Sequence, residues 1–202
     1  TTSGGGMLIT DDKAARDKAF FWSTQAREPF PWYQHEEIGY NYRMSNVIAG
    51  VVRGQLPYLQ EHIDKKKAIY DRYKEGFKGL PVMMNPYDED NSEPNFWLSC
   101  MIIDKDAMCE HKREALTATY VTEPGKSCPT EILETLAQCN IEGRPIWKPM
   151  HMQPIYINND YVSLGDDIGA DIFERGLCLP SDIKMTELEQ DKIIEIICSC
   201  FE

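Results

Sequence analysis

Little in this 202-residue sequence points toward a membrane, a metal or a nucleic acid. No apolar run reaches the about 18 residues that would make a membrane span, and the N-terminus carries no signal-peptide pattern. Basic residues are scarce: 21 Lys and Arg stand against 33 Asp and Glu, for a net charge of −12. That balance argues against a scaffold held by nucleic-acid phosphates, while leaving room for a local basic pocket around a phosphorylated small molecule. Seven cysteines make an odd count without framework spacing. Most sit in apolar stretches such as 98–103 and 196–201, as small buried hydrophobes in a reducing cytoplasm, so a cytoplasmic location is expected. Cys109-Glu110-His111 and Cys198-Ser199-Cys200 offer no two well-spaced ligand pairs, and no metal site is expected from them. Also missing are a Gly-x-Ser-x-Gly elbow, a His-Glu-x-x-His helix and a glycine loop ending in Gly-Lys-Ser/Thr. There is no internal repeat and no low-complexity segment.

What is present reads as a globular chain. The hydrophobic fraction of 42% and charged fraction of 27% suit one large domain or two small ones. Three glycines at 4–6 lead into Met7–Thr10, which reads as a turn before a short strand. Asp11 or Asp12 can cap a helix running to about Gln25, with Ala14, Ala15, Ala19, Phe20 and Trp22 near one face. Residues 27–44 form a long loop rich in prolines and aromatics, and loops of that length are usually functional. Ser45 or Asn46 then caps a helix with Val47, Ile48, Val51, Val52 and Leu56 at helical spacing. Pro57 breaks it and opens the next helix, which Gly79 and Pro81 stop.

Beyond residue 80 short strands alternate with helices, the texture of a smaller α+β domain. Pro81–Met84 reads as an edge strand and 96–103 as a central covered one. The spacing predicts a helix over 109–120, a loop over 121–128, and a helix from Pro129 to about Gln138. A short strand interrupted by Pro145 follows at 141–147, then a helix over 166–175 and a brief buried strand at 177–179. Thr186 with Glu189 makes a capping box for the last helix.

Two polar constellations stand out. In Gly39-Tyr40-Asn41-Tyr42-Arg43-Met44-Ser45-Asn46 an amide and a guanidinium precede a helix start. An anion there would meet free N–H groups, the helix dipole and an arginine fork. Pairing of Arg43 with Glu36 or Glu37, merely pinning the loop, fits the residues equally well. In Arg144-Pro145-Ile146-Trp147-Lys148-Pro149-Met150-His151-Met152-Gln153-Pro154, three prolines stiffen a loop offering Arg, Trp, Lys, His and Gln. Such a loop suits an aromatic or anionic ligand, although a histidine between two methionines is more often structural.

TTSGGGML at 1–8, GYNYRMSN at 39–46, RPIWKPMHMQP at 144–154 and GLCLPS at 176–181 occur in this order. Together they resemble the C-terminal half of the DegT/DnrJ/EryC1/StrS family of pyridoxal-phosphate-dependent nucleotide-sugar aminotransferases, over essentially the whole chain. The likeness is greatest to enzymes that aminate 4-keto-6-deoxy nucleotide sugars for surface polysaccharides and glycans.

The resemblance implies an α/β protein, the C-terminal part of a type I aminotransferase fold. Residues 1–56 would be the remainder of the large cofactor domain, 57–79 a linking helix and 80–202 the small α+β domain. It implies pyridoxal 5'-phosphate as cofactor, a nucleotide-sugar substrate, an amino donor such as glutamate, and a homodimer with shared active sites. Asn41 and Arg43 would contact the cofactor phosphate, in the partner subunit's site for Asn41. Tyr40, Tyr42, Trp147, Lys148 and His151 would line the substrate mouth. The family's Schiff-base lysine lies a few residues before the TTSGGG segment, so the chain is expected to be a C-terminal fragment with no catalytic residue of its own and no transaminase activity alone. Lys13, Lys18 and Lys148 are misplaced to substitute. If such a chain folds alone, apolar surface on 1–56 should be exposed. The 110–128 region reads as longer than the family's usual connection. A dehydratase of the same fold, with histidine in place of that lysine, or a non-catalytic nucleotide-sugar-binding protein would share these residues.

Overall fold

A computed structural model describes residues 4–114 and 117–202 and divides the chain into two compact units, Thr1–Gln60 and Glu61–Glu202. Thr1–Ser3 of the first motif lie outside the described residues.

The first unit is built on two helices. Helix α1 (Lys13–Ser23) starts where the Asp12 carboxylate accepts the N–H groups of Ala14 and Ala15, satisfying donors that the first turn would otherwise leave open. Helix α2 (Asn46–Gln55) is capped by Ser45, whose hydroxyl accepts the Ile48 N–H. Neither helix has a buried residue, and Val47 is 75% exposed, so the apolar stripes seen in the sequence are at most partly covered among the described residues of this unit. The strand expected at Met7–Thr10 does not form: these residues are exposed and pair with no partner strand. A short 3-10 turn at Leu56–Tyr58, set by Pro57, leads into helix α3 (Leu59–Gly76), within whose first turn the two units divide.

The second unit surrounds an antiparallel four-stranded sheet. Strand β1 (Val82–Met84) is the edge, as its sequence suggested, and β2 (Cys100–Ile103) lies inside it. The sheet continues through β6 (Gly176–Cys178) to β5 (Arg144–Pro145), giving the order β1-β2-β6-β5. Successive residues Met101, Ile102 and Ile103 are all buried, so β2 is covered on both faces. It is shorter than expected: Phe96 has φ +49°, outside the extended region, and the Trp97 N–H is taken by the Asn95 side chain. The core joins Ile69 and Tyr73 of α3, Ile132 and Leu136 of α4 (Pro129–Gln138), and Ile193 and Ile197 of α6 (Glu187–Ser199) to that sheet. The Thr186–Glu189 capping box is present, and α5 (Ile168–Arg175) runs directly into β6.

A second expectation fails in this unit. Residues 109–120 are not a helix: β3 (His111–Arg113) and β4 (Ala118–Tyr120) form a hairpin with His111 opposite Tyr120. Tertiary anchoring outweighs local preference here. The His111 ring, 2% exposed, lies 2.8 Å from the Thr130 hydroxyl, and Arg113 donates to the Phe173 carbonyl at 2.7 Å. A helix over the same residues would forfeit both anchors. This hairpin lies within residues 110–128. Among the described residues no helix is long and apolar enough to cross a membrane.

The core of the second unit should therefore carry its stability. Ile197→Ala, at a fully buried position, is expected to cost about 2–5 kcal/mol in chemical denaturation. A loss below about 1 kcal/mol would mean that α6 is not part of this core.

Candidate functional site

The sequence motif Gly39–Asn46 is set against the end of α1 by backbone pairing. Tyr40 N–H donates to the Trp22 carbonyl at 2.7 Å, Tyr42 N–H to Ser23 at 3.0 Å, and Gln25 N–H to Tyr40 at 3.0 Å. Gln25 and Ala26 both adopt positive φ, 74° and 49°, a costly conformation for residues with a Cβ. Gly39 lies directly over that turn: a Cβ there would sit 2.1 Å from the Gln25 carbonyl carbon and 2.2 Å from the Ala26 nitrogen. The ring of His35 closes the other side, with Nδ1 3.0 Å from the Gln25 oxygen.

This pairing delivers Asn41, Tyr42 and Arg43 to a cleft of about 780 Å³. Its other walls are Gly4–Gly6 and Leu8, the Arg16, Ala19, Phe20 and Ser23 face of α1, and Ser45 and Ile48 at the start of α2. Two arginines and no carboxylate line it among the described residues, although Asp17 pairs with Arg16 at 2.7 Å on the exposed surface. No acidic residue occupies the first turn of α2. The Arg43 guanidinium is held 4.9 Å over the Phe20 ring. Neither Glu36 nor Glu37 pairs with it: Glu37 is engaged by Lys18 and by the Trp22 indole N–H at 2.8 Å. Those two hydrogen bonds, led by Lys18, also hold the Glu37 carboxyl below its ordinary value. The pairing of Arg43 with Glu36 or Glu37, one of the two readings of this stretch, is therefore not what forms. Tyr40 stacks on Tyr42, with ring centroids 4.9 Å apart, and lies outside the lining.

The second constellation belongs to the other unit and is more ordered than a stiff exposed loop. Arg144 is occupied by Glu142 at 2.8 Å. Trp147 is 63% exposed and lies 6.0 Å from Trp97, while Lys148 is exposed and its carbonyl accepts from the Gln153 amide. His151 is held on two sides. Its ring stacks on Tyr161 with centroids 3.8 Å apart and planes 15° from parallel. Its Nε2 lies 2.6 Å from Asp167 Oδ2, close in distance but too oblique for a straight hydrogen bond. The other oxygen of Asp167 caps α5 by accepting the Ala170 N–H at 2.9 Å. That N–H above all, opposed by the cost of burial and helped to a lesser degree by His151, holds the Asp167 carboxyl below its ordinary value.

Sequence reasoning did not single out Phe20, Arg16, Tyr161, Trp97 or Asp167 as partners of these sites. Asp167 carried a signal, since an aspartate opening a helical stretch is a strong N-cap. The others are brought in by tertiary packing alone.

The family model described as "DegT/DnrJ/EryC1/StrS aminotransferase family" matches residues 1–198. EpsN of Bacillus subtilis, described as a candidate pyridoxal phosphate-dependent aminotransferase, is 40% identical over 203 residues, covering 100% of this chain and 47% of EpsN. GDP-perosamine synthase of Escherichia coli O157:H7 is 30% identical over 97% of this chain and 46% of its own length. The chain thus spans about half the length of the curated relatives it matches. Among solved structures, the Helicobacter pylori aminotransferase PseC superposes with a TM-score of 0.75 at 18% identity, over 100% of this chain and 50% of PseC. TlmJ of Streptoalloteichus hindustanus gives 0.74 at 16% identity, over 98% and 48%. The fold expected from the sequence is the one found.

Two outcomes check the geometry. Gly39→Ala should destabilise the first unit by about 1–3 kcal/mol in denaturation, because the new Cβ meets backbone on both sides; no loss would refute the close approach. For Asp167, a lowered folded-state value means that its stabilisation is complete above the ordinary carboxylate value and disappears as pH falls through the lowered one. In His151→Gln the carboxyl titration followed by NMR should move upward yet stay below the ordinary value, since the Ala170 N–H remains. An unmoved midpoint would show that His151 and Asp167 do not interact.

Proposed function

The chain belongs to the DegT/DnrJ/EryC1/StrS aminotransferase family, and on that premise we propose that it supplies the C-terminal half of an enzyme that aminates a keto nucleotide sugar. A 4-keto-6-deoxy sugar destined for a surface polysaccharide or glycan is the substrate class proposed, in keeping with the GDP-perosamine synthases among its relatives. The family uses pyridoxal 5'-phosphate. The single observation that carries the reading is the cleft beside α2: an amide, two guanidiniums and a serine-capped helix start, with no carboxylate in its described lining. That donor set fits a phosphate dianion, which accepts hydrogen bonds and offers none.

In this reading Asn41 and Arg43 bind the phosphate end of the cofactor. Phe20 keeps the Arg43 fork in place without neutralising it. When bound, the cofactor supplies the aldehyde and the conjugated ring through which an amino group is transferred. No lysine lines the cleft among the described residues, and Lys18 is committed to Glu37, so these residues grip the phosphate and do not provide the amine anchor. The chain alone is accordingly proposed to be inactive as a transaminase. Tyr42 walls the mouth with Tyr40 stacked behind it, and Trp147, Lys148 and His151 bind the sugar nucleotide. The domain assignment proposed is residues 1–56 as part of the cofactor domain, 57–79 as a linking helix, and 80–202 as the small domain. Exposed Met7, Ile9, Trp32, Ile38 and Val47 favour a homodimer that covers them, with active sites shared between subunits.

The test uses a protein carrying these residues together with the cofactor lysine. Asn41→Ala and Arg43→Ala should each weaken cofactor retention by roughly ten- to a hundredfold, the worth of one charge-assisted hydrogen bond, as read from the bound-pyridoxal absorbance after dialysis. Unchanged cofactor affinity in both variants would overturn the phosphate role.

A further inference from the structure

Of the two constellations, the His151 cluster carries more than a list of ligand contacts. Asp167 divides its carboxylate between two tasks: Oδ1 caps α5 through the Ala170 N–H, and Oδ2 faces the imidazole. The cap fixes the carboxylate in place, and Tyr161 fixes the ring plane. Nε2 is buried, and its close polar neighbour is that carboxylate oxygen at 2.6 Å. A bare nitrogen lone pair facing a carboxylate at that distance would be repelled at any angle, so Nε2 must carry the proton. In its neutral form the imidazole has one N–H, which leaves Nδ1 bare; a ring found doubly protonated at neutral pH would offer no acceptor and would overturn an acceptor role.

We infer that Asp167 and Tyr161 are positioning residues that hold His151 as a hydrogen-bond acceptor through Nδ1. A bare nitrogen repels a phosphate oxygen and accepts from a hydroxyl. His151 therefore reads a hydroxyl of the sugar, and the diphosphate falls to other groups. The ligand half of this inference rests on the function proposed above; the tautomer half does not.

Asp167→Asn separates the parts. The side-chain carbonyl of asparagine can still cap α5, while its NH2 takes the place of Oδ2 and donates toward Nε2. The histidine must then accept at Nε2 and carry its proton on Nδ1. Two-bond 1H–15N NMR of the neutral His151 ring should show the Nε2-protonated tautomer in the unaltered protein and the Nδ1-protonated one in Asp167→Asn. An Nδ1-protonated or evenly mixed ring in the unaltered protein overturns the inference, as does a tautomer that the substitution leaves unchanged. The fold of the variant is checked by the Ala170 amide shift, which a retained cap leaves in place.

The ligand half is read in the enzyme with its cofactor lysine. His151→Phe, which keeps a ring against Tyr161 and removes Nδ1, should raise KM for the keto nucleotide sugar roughly five- to tenfold, the worth of one hydrogen bond, and leave the half-reaction with the amino donor unchanged. Equal losses in both half-reactions would overturn the hydroxyl assignment. Absence of amination with every keto nucleotide sugar would instead sink the proposed function, and the ring nitrogens would still decide the tautomer.

Discussion

The first unit depends on one close approach of backbone to backbone. Gly39 sits on the turn made by Gln25 and Ala26, where any side chain at 39 would overlap main-chain atoms. The turn itself is held in a conformation that its residues disfavour, with φ of 74° and 49°. Such strain persists only where its surroundings over-determine it. Here the surroundings are the Tyr40–Trp22 and Gln25–Tyr40 hydrogen bonds and the ring of His35. Those same hydrogen bonds fix the direction in which the chain leaves Gly39. Asn41 and Arg43 are therefore positioned by the backbone, with little need for partners of their own.

The second unit solves a similar problem by other means. Its sheet and helices share one buried core, and polar ties fasten the periphery: Arg72 of α3 to Asp191 of α6 at 2.8 and 3.0 Å, and the Gln190 amide to the Ile69 carbonyl at 2.7 Å. His151 stands outside that core, on short 3-10 turns that offer it no regular ladder. It is ordered by a helix cap that faces two ways. Asp167 thus transmits the rigidity of α5 to a loop residue, which is the usual requirement for a precise polar contact on an irregular segment.

These differences explain what could be read from the residues alone. Caps and punctuation were legible: Asp12, Ser45, Pro129, Gly176 and the Thr186–Glu189 box each act through neighbours within four positions. The helix expected at 109–120 failed because the deciding contacts, His111 with Thr130 and Arg113 with Phe173, span 19 and 60 positions. The motif singled out Gly39–Asn46 as a stretch, but nothing in it marked Gly39 as the point of contact with Gln25 and Ala26. Phe20 under Arg43 and Tyr161 against His151 follow no local rule, so only the folded chain reveals them.

The electrostatics of the cleft follow from that packing. The chain as a whole carries −12, a poor background for gripping an anion. At physiological ionic strength, however, charges more than about 8 Å apart are largely screened, so the nearest groups decide. An arginine steadied by a carboxylate would lose most of its charge to that partner. Arg43 is steadied by the face of Phe20 instead, which orders the guanidinium while leaving its charge and its N–H fork available. Glu37, the nearby carboxylate that might have quenched it, is held by Lys18 and Trp22. The acidic surface and the basic cleft thus coexist because an aromatic ring, not an acid, holds Arg43, while Arg16 keeps the Asp17 carboxylate as its partner.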